Sequence, residues 1–128
     1  MNANLKIALA IVGGAVIGAA ATQGLHAQAK LKAYSVGELQ VLDKAAQAAY
    51  LPAARTAIET AHGRTLRTAG GRVVRVEGAD APQSIAIVEW DSLDDAVAFY
   101  KSKPWTDLAA QRDKAQKTIA RYVVEVEK

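Results

Sequence analysis

The sequence predicts an α+β domain: one antiparallel sheet with helices packed on one of its faces. Three observations carry this. Ser84–Trp90 (SIAIVEW) is a short apolar run of β-prone residues, and Ile119–Glu127 alternates apolar and polar side chains. Between the extended segments, apolar residues recur at spacings of three and four, the period of a helix with one buried face.

The first element is a leader. Met1–Lys6 is short with one charged side chain, and Ile7–Ala21 (IALAIVGGAVIGAAA) is uninterrupted apolar sequence, the order of a secretory n-region and h-region. Ala27 and Ala29 flank Gln28 as small cleavage residues, so residues 1–29 are expected to be a signal peptide, cut after Ala27 or Ala29. The competing reading is a retained anchor, but about 15 apolar residues fall short of the roughly 20 that span a bilayer. Gly14 and Gly18 have the spacing of helix-dimer motifs, which small-residue-rich leaders produce incidentally. Residues 30–128 are then the mature domain, periplasmic or secreted, with no membrane attachment after cleavage.

Within that domain, Lys32–Val41 (KAYSVGELQV) is expected to be the first strand, with Asp43 capping the helix that follows. Pro52 removes a backbone donor, so it is expected to open a second helical segment. Leu51, Ala54, Ile58 and Ala61 form its apolar stripe, and Gly63 closes it in a left-handed conformation. Arg64–Ala69 and Arg72–Glu77 read as two extended pieces about Gly70 and Gly71, and Gly78–Pro82 as a loop. Ser84–Trp90 follows as a strand buried on both faces. Ser92, with Asp95 three residues on, caps a helix lined by Leu93, Ala96, Val97 and Tyr100. Pro104 opens a helical stretch through Lys114, and Ile119–Glu127 is the closing strand. The order is strand, helix, extended pair, strand, helix, strand, the ferredoxin-like βαββαβ arrangement. Its uncovered sheet face suits a homodimer.

Composition narrows the function classes. The chain has 128 residues, 16 basic and 13 acidic, for a net charge of +3; loss of the leader removes Lys6 alone and leaves +2. Charges this balanced and interspersed do not predict nucleic-acid binding. Cysteine is absent, which excludes disulfides, thiolate metal sites, cysteine nucleophiles and an acylated lipoprotein cysteine.

No complete catalytic, metal-binding or cofactor motif is present. His62 sits at a helix carboxyl end, where its charge complements the helix dipole, and one histidine does not make a metal site. Asp91, Asp94 and Asp95 gather at a helix start, where carboxylates are favoured electrostatically. Ser102 lacks the turn of a serine nucleophile and has no histidine at a useful spacing. Arg64, Arg67, Arg72 and Arg75 cannot form one stripe, because strand residues three apart face opposite ways. Tyr100 and Trp105 flank a helical break, with Arg112 two turns beyond; folded together they offer aromatic walls and a cation to a small acidic or aromatic ligand.

The AYSVGELQVLD strand, the helix ending AHG, LRTAGG, VEG before a loop proline, the strand ending EW, and FYKSKPWTDLAAQRDKA together resemble the uncharacterised family known as domain of unknown function 1330. The resemblance spans about residues 33–127 and implies the dimeric α/β-barrel superfamily, in which two ferredoxin-like chains face their sheets together. It selects Arg67, Tyr100, Ser102, Trp105 and Arg112 as candidate ligand-binding residues, and Glu77 with Gly78 as a family pair. Thr68 and Ala69 are insertions relative to the pattern, Pro104 adjoins the aromatic, and Trp105 replaces the usual tyrosine. Heme-binding relatives in the superfamily use an axial histidine, the one reason to weigh His62 as a ligand. The family implies no reaction. Three functions fit: a homodimer holding a small organic ligand without a cofactor; a cofactor-independent monooxygenase- or isomerase-like enzyme using Tyr100 or Glu38 for a proton; and a purely structural association domain.

Overall fold

A computed structural model describes residues 30–68 and 71–127; the leader at 1–29 lies outside them, as does Gly70. Strand β1 (Lys32–Val41) runs through the middle of a four-stranded antiparallel sheet, between β3 (Ser84–Trp90) and β4 (Gln116–Val126). The short β2 (Arg64–Thr65) pairs with the far edge of β3, giving the order β2-β3-β1-β4. This is the expected ferredoxin-like α+β fold.

The period-two alternation of β1 divides the sheet. Ala33, Ser35, Gly37 and Leu39 are buried on the helix side, opposite Trp90, Val88, Ala86 and Ser84 of β3. Tyr34, Val36 and Glu38 point to the other face, beside Glu89, Ile87 and Ile85 and against Val124, Tyr122 and Ala120 of β4. Among the described residues no helix covers that second face, and Tyr122 and Val124 keep 50% and 47% of their surface exposed. Strand β3 is therefore buried at Val88 and Trp90 and only half-buried elsewhere, less than its composition suggested.

Helix α1 (Lys44–Thr60) starts at Asp43, whose carboxylate accepts from the Ala46 N–H at 2.9 Å. It runs unbroken through Pro52, where a new segment was expected. Pro52 and Ala48, the residue whose carbonyl loses its partner, both lie on the exposed side, where solvent can replace the lost bond and the helix need not break. The buried stripe is Tyr50, Ala54 and Ile58, with Leu51 left outside it. The helix ends with His62, not Gly63, in the left-handed region (φ 66°). Gly63 is needed for space: a Cβ there would lie 2.6 Å from Ile58 Cγ2 and 2.9 Å from Trp90 Cη2.

Only Arg64–Thr65 of the expected extended pair forms a strand; Arg72–Glu77 pairs with none among the described residues, and Val74 and Val76 are exposed. The Leu66 N–H donates to the Ile87 carbonyl and the Thr68 hydroxyl bonds the Ile85 carbonyl, so the first piece alone occupies the β3 edge. Gly78 turns the loop with φ 82°.

Helix α2 (Leu93–Lys101) starts at Ser92, whose Oγ accepts from the Asp95 N–H at 3.1 Å. It buries Ala96 and Phe99, leaving Leu93 and Tyr100 half-buried and Val97 exposed. The stretch from Pro104 is two pieces, α3 (Lys103–Thr106) and α4 (Ala109–Ala115), and β4 begins directly at Gln116. The Ala115 carbonyl accepts from both the Leu42 and Asp43 N–H groups, tying this junction to the end of β1. The core gathers Trp90, Phe99, Tyr50, Ile58, Val88 and Trp105 between helices and sheet.

Candidate ligand-binding site

In the β1–β4 register Gly37 lies opposite Arg121. The missing side chain is what admits the guanidinium: a Cβ on Gly37 would lie 2.9 Å from Arg121 Nη1, 3.1 Å from Cζ and 3.2 Å from Nη2. The Arg121 Cζ stands 5.2 Å from the Tyr100 ring centroid and 5.1 Å from that of Trp105, within cation–π range. Arg112 approaches the same indole at 4.5 Å, and the Tyr100 and Trp105 rings meet edge to face at 5.1 Å.

Hydrogen bonds fix this aromatic group from below. The buried Trp90 Nε1 donates to Ser35 Oγ at 3.0 Å, and Ser35 Oγ lies 2.7 Å from the Tyr100 hydroxyl. Arg112 donates to the Trp105 carbonyl at 3.4 Å, bracing the turn that presents the indole. Burial raises the pKa of the Tyr50 phenol, with Arg112 opposing, so it stays protonated at neutral pH. Among the described residues no carboxylate lies within 4.0 Å of Arg112 or Arg121, and the Arg121 guanidinium donates no hydrogen bond.

Beside this group a cleft of about 530 Å³ opens between α1 and the helix side of the sheet. Leu39, Ala54, Ile58 and Val88 supply apolar walls, while Trp105, Arg121 and the exposed Arg67 also line it. Of the residues expected at a site, Trp105 and Arg67 thus line the cleft; Tyr100 and Arg112 contact Trp105 without lining it. Ser102 is elsewhere. Its hydroxyl donates to the Phe99 carbonyl at 2.6 Å, finishing α2 instead of capping the next helix, and it faces a separate groove with His62, Asp91 and Asp95. No group of three His, Asp or Glu side chains is placed to hold a metal among the described residues. Glu38 lies on the opposite sheet face from Tyr100 and shares no site with it.

Arg121 was not among the expected residues. Its alternation with Tyr122 was visible, but only the pairing register, which brings it over a glycine, reveals it. Arg64 and Arg75 are ion-paired instead: Arg64 bridges Glu89 at 2.8 Å and Asp91 at 2.9 Å, and Arg75 bridges Asp80 at 2.9 Å. On the uncovered sheet face Glu89 also bonds Lys32 at 2.8 Å and the Tyr34 hydroxyl at 2.9 Å. Lys32 foremost, then Tyr34 and Arg64, pull its carboxyl down to a pKa of about 2.

Fold and cleft together define a ferredoxin-like α+β domain with an arginine-bearing pocket between its sheet and first helix. Residues 32–126 match the model of the family described as domain of unknown function (DUF1330), and the chain belongs to that family. Among solved structures it is similar to a protein of unknown function from Rhodopseudomonas palustris, at 12% identity and a TM-score of 0.57, covering 84% of this chain and 89% of that one. It is also similar to a Bacteroides thetaiotaomicron protein of unknown function described as a possible oxidoreductase (8% identity, TM-score 0.47, 77% and 100% covered). A putative antibiotic biosynthesis monooxygenase from Nitrosomonas europaea follows (14% identity, TM-score 0.44, 79% and 92% covered). No curated protein matches.

Proposed function

We propose that the protein is exported, that residues 30–128 are its mature domain, and that it acts as a homodimer holding a small organic ligand in the cleft lined by Trp105, Arg67 and Arg121. The observation that carries this is Arg121: a cation held against aromatic rings at the edge of an apolar cleft, with no carboxylate within 4.0 Å among the described residues. Stacking an arginine on aromatic rings without pairing it leaves its donors available to a ligand. Tyr100 and Arg112 position the indole. The dimer is supported by the uncovered sheet face, where Val36, Ile87, Tyr122 and Val124 adjoin in one apolar patch.

Differential scanning fluorimetry of the purified protein against a panel of small acids, alcohols and amines tests the ligand reading. A compound that binds only the folded state raises the melting temperature with its concentration. Stabilisation by a subset of the panel, lost in Arg121→Gln, is expected; a panel without effect on the wild type overturns the reading.

The Trp90–Ser35–Tyr100 hydrogen-bond chain favours a second reading, a cofactor-independent monooxygenase- or isomerase-like enzyme acting on a small aromatic substrate, with Tyr100 passing a proton. Turnover abolished in Tyr100→Phe with binding retained would mark it. Unchanged stability with every compound tested, from a dimer, would leave structural association.

A further inference from the structure

We infer that the ligand of this cleft is an amphipathic carboxylate, its single anionic head held by Arg121 and its apolar body lying against Leu39, Ala54, Ile58 and Val88. This rests on the cleft being a ligand site and names the chemistry it selects.

The orientation of the guanidinium makes the first argument. The nearly equal distances from the Gly37 Cβ position to Nη1, Cζ and Nη2 mean that the glycine backbone meets the flat face of the group, and the Tyr100 and Trp105 rings take further contact with it. What stays open is its edge, where the N–H donors lie in the plane that a carboxylate engages with two parallel hydrogen bonds. Every wholly buried side-chain nitrogen and oxygen among the described residues has a hydrogen-bond partner; the Arg121 nitrogens have none and therefore reach solvent.

The lining makes the second. Three arginines, Arg55, Arg67 and Arg121, face the cleft against one carboxylate, Glu59, so a cationic ligand is disfavoured. A neutral apolar ligand would strip water from Arg121 and return no hydrogen bond, a costly exchange for a charge. A polyanion such as a sugar phosphate would bring polar surface against the aliphatic walls. A one-headed acid with an apolar body satisfies both halves.

The test is isothermal titration calorimetry of octanoate and 1-octanol into the purified wild-type protein, Arg121→Gln and Arg121→Lys, with circular dichroism confirming that each is folded. Octanoate is expected to saturate one site per chain and to bind roughly ten- to hundred-fold more tightly than octanol, the range of a charge-assisted hydrogen-bonded pair. Arg121→Gln removes that preference while leaving octanol affinity in place, and Arg121→Lys restores part of it. Equal affinities in the wild type, or a preference that survives Arg121→Gln, overturn the carboxylate assignment while the cleft still binds. Saturation by neither probe overturns the assignment together with the ligand reading. If Arg121→Gln does not fold, Gly37→Ala displaces the same guanidinium and must abolish the same preference.

Discussion

Gly37 and Arg121 face each other across the β1–β4 ladder, and the guanidinium occupies the space that any side chain at position 37 would need. The contact is with the tip of a flexible side chain, so it yields at little cost in folding.

Gly37→Ala therefore separates stability from binding. Alanine in a strand is favoured over glycine by about 0.5–1 kcal/mol, which offsets the displacement of the guanidinium. Urea denaturation is expected to show a net change under about 1 kcal/mol, while ligand affinity falls as it does in Arg121→Gln.

Gly63→Ala is expected to behave oppositely. Its new methyl group meets Ile58 and Trp90, both buried, and neither can swing away. Overpacking of this kind costs about 1–3 kcal/mol, a fall in melting temperature of several degrees or more for a domain of this size. Calorimetry reads it directly.

Much of the fold was legible in the sequence because local patterns encode it: the Asp43 and Ser92 caps, the β1 and β3 runs, the element order. What was not legible depended on surroundings. Pro52 does not break its helix because its side faces water, and Leu51 yields the buried stripe to Tyr50 one residue away. The left-handed residue is His62, and Gly63 serves close packing instead. Tyr100, Trp105 and Arg112, singled out by their spacing and by the family resemblance, do meet, whereas Ser102 turns away to its own helix end. Arg121 was hidden because strand register, not spacing, brings it over Gly37.

Ser35→Ala tests the buried chain beneath Tyr100. It leaves the Trp90 Nε1–H, in a residue 1% exposed, without its acceptor, and an unmet buried donor costs about 1–3 kcal/mol. Tyr100→Phe leaves the Trp90–Ser35 bond intact and is expected to cost less, about 1 kcal/mol. Denaturant midpoints of the two variants should fall in that order.

The acid limb of stability should report Glu89. A carboxyl held at about 2 when folded, against an ordinary 4.5, binds its proton less readily folded than unfolded. It therefore stabilises the fold above about 4.5, and that contribution fades as pH falls from 4.5 toward 2. Thermal scans across this window should show a steeper decline for the wild type than for Glu89→Gln, and added salt should reduce the difference.

Val124→Lys places a charge on the exposed sheet face, beside Tyr34. Sedimentation equilibrium is expected to show a dimer for the wild type and a folded monomer for the variant. A wild-type monomer would remove the dimer from the proposal.

The most direct measurement is native mass spectrometry of the protein gently purified from producing cells, wild type beside Arg121→Gln. The proposed function requires a wild-type dimer carrying a reproducible small organic mass, released on denaturation and missing from the variant. A bare mass in both proteins, or an adduct that Arg121→Gln retains, would contradict it.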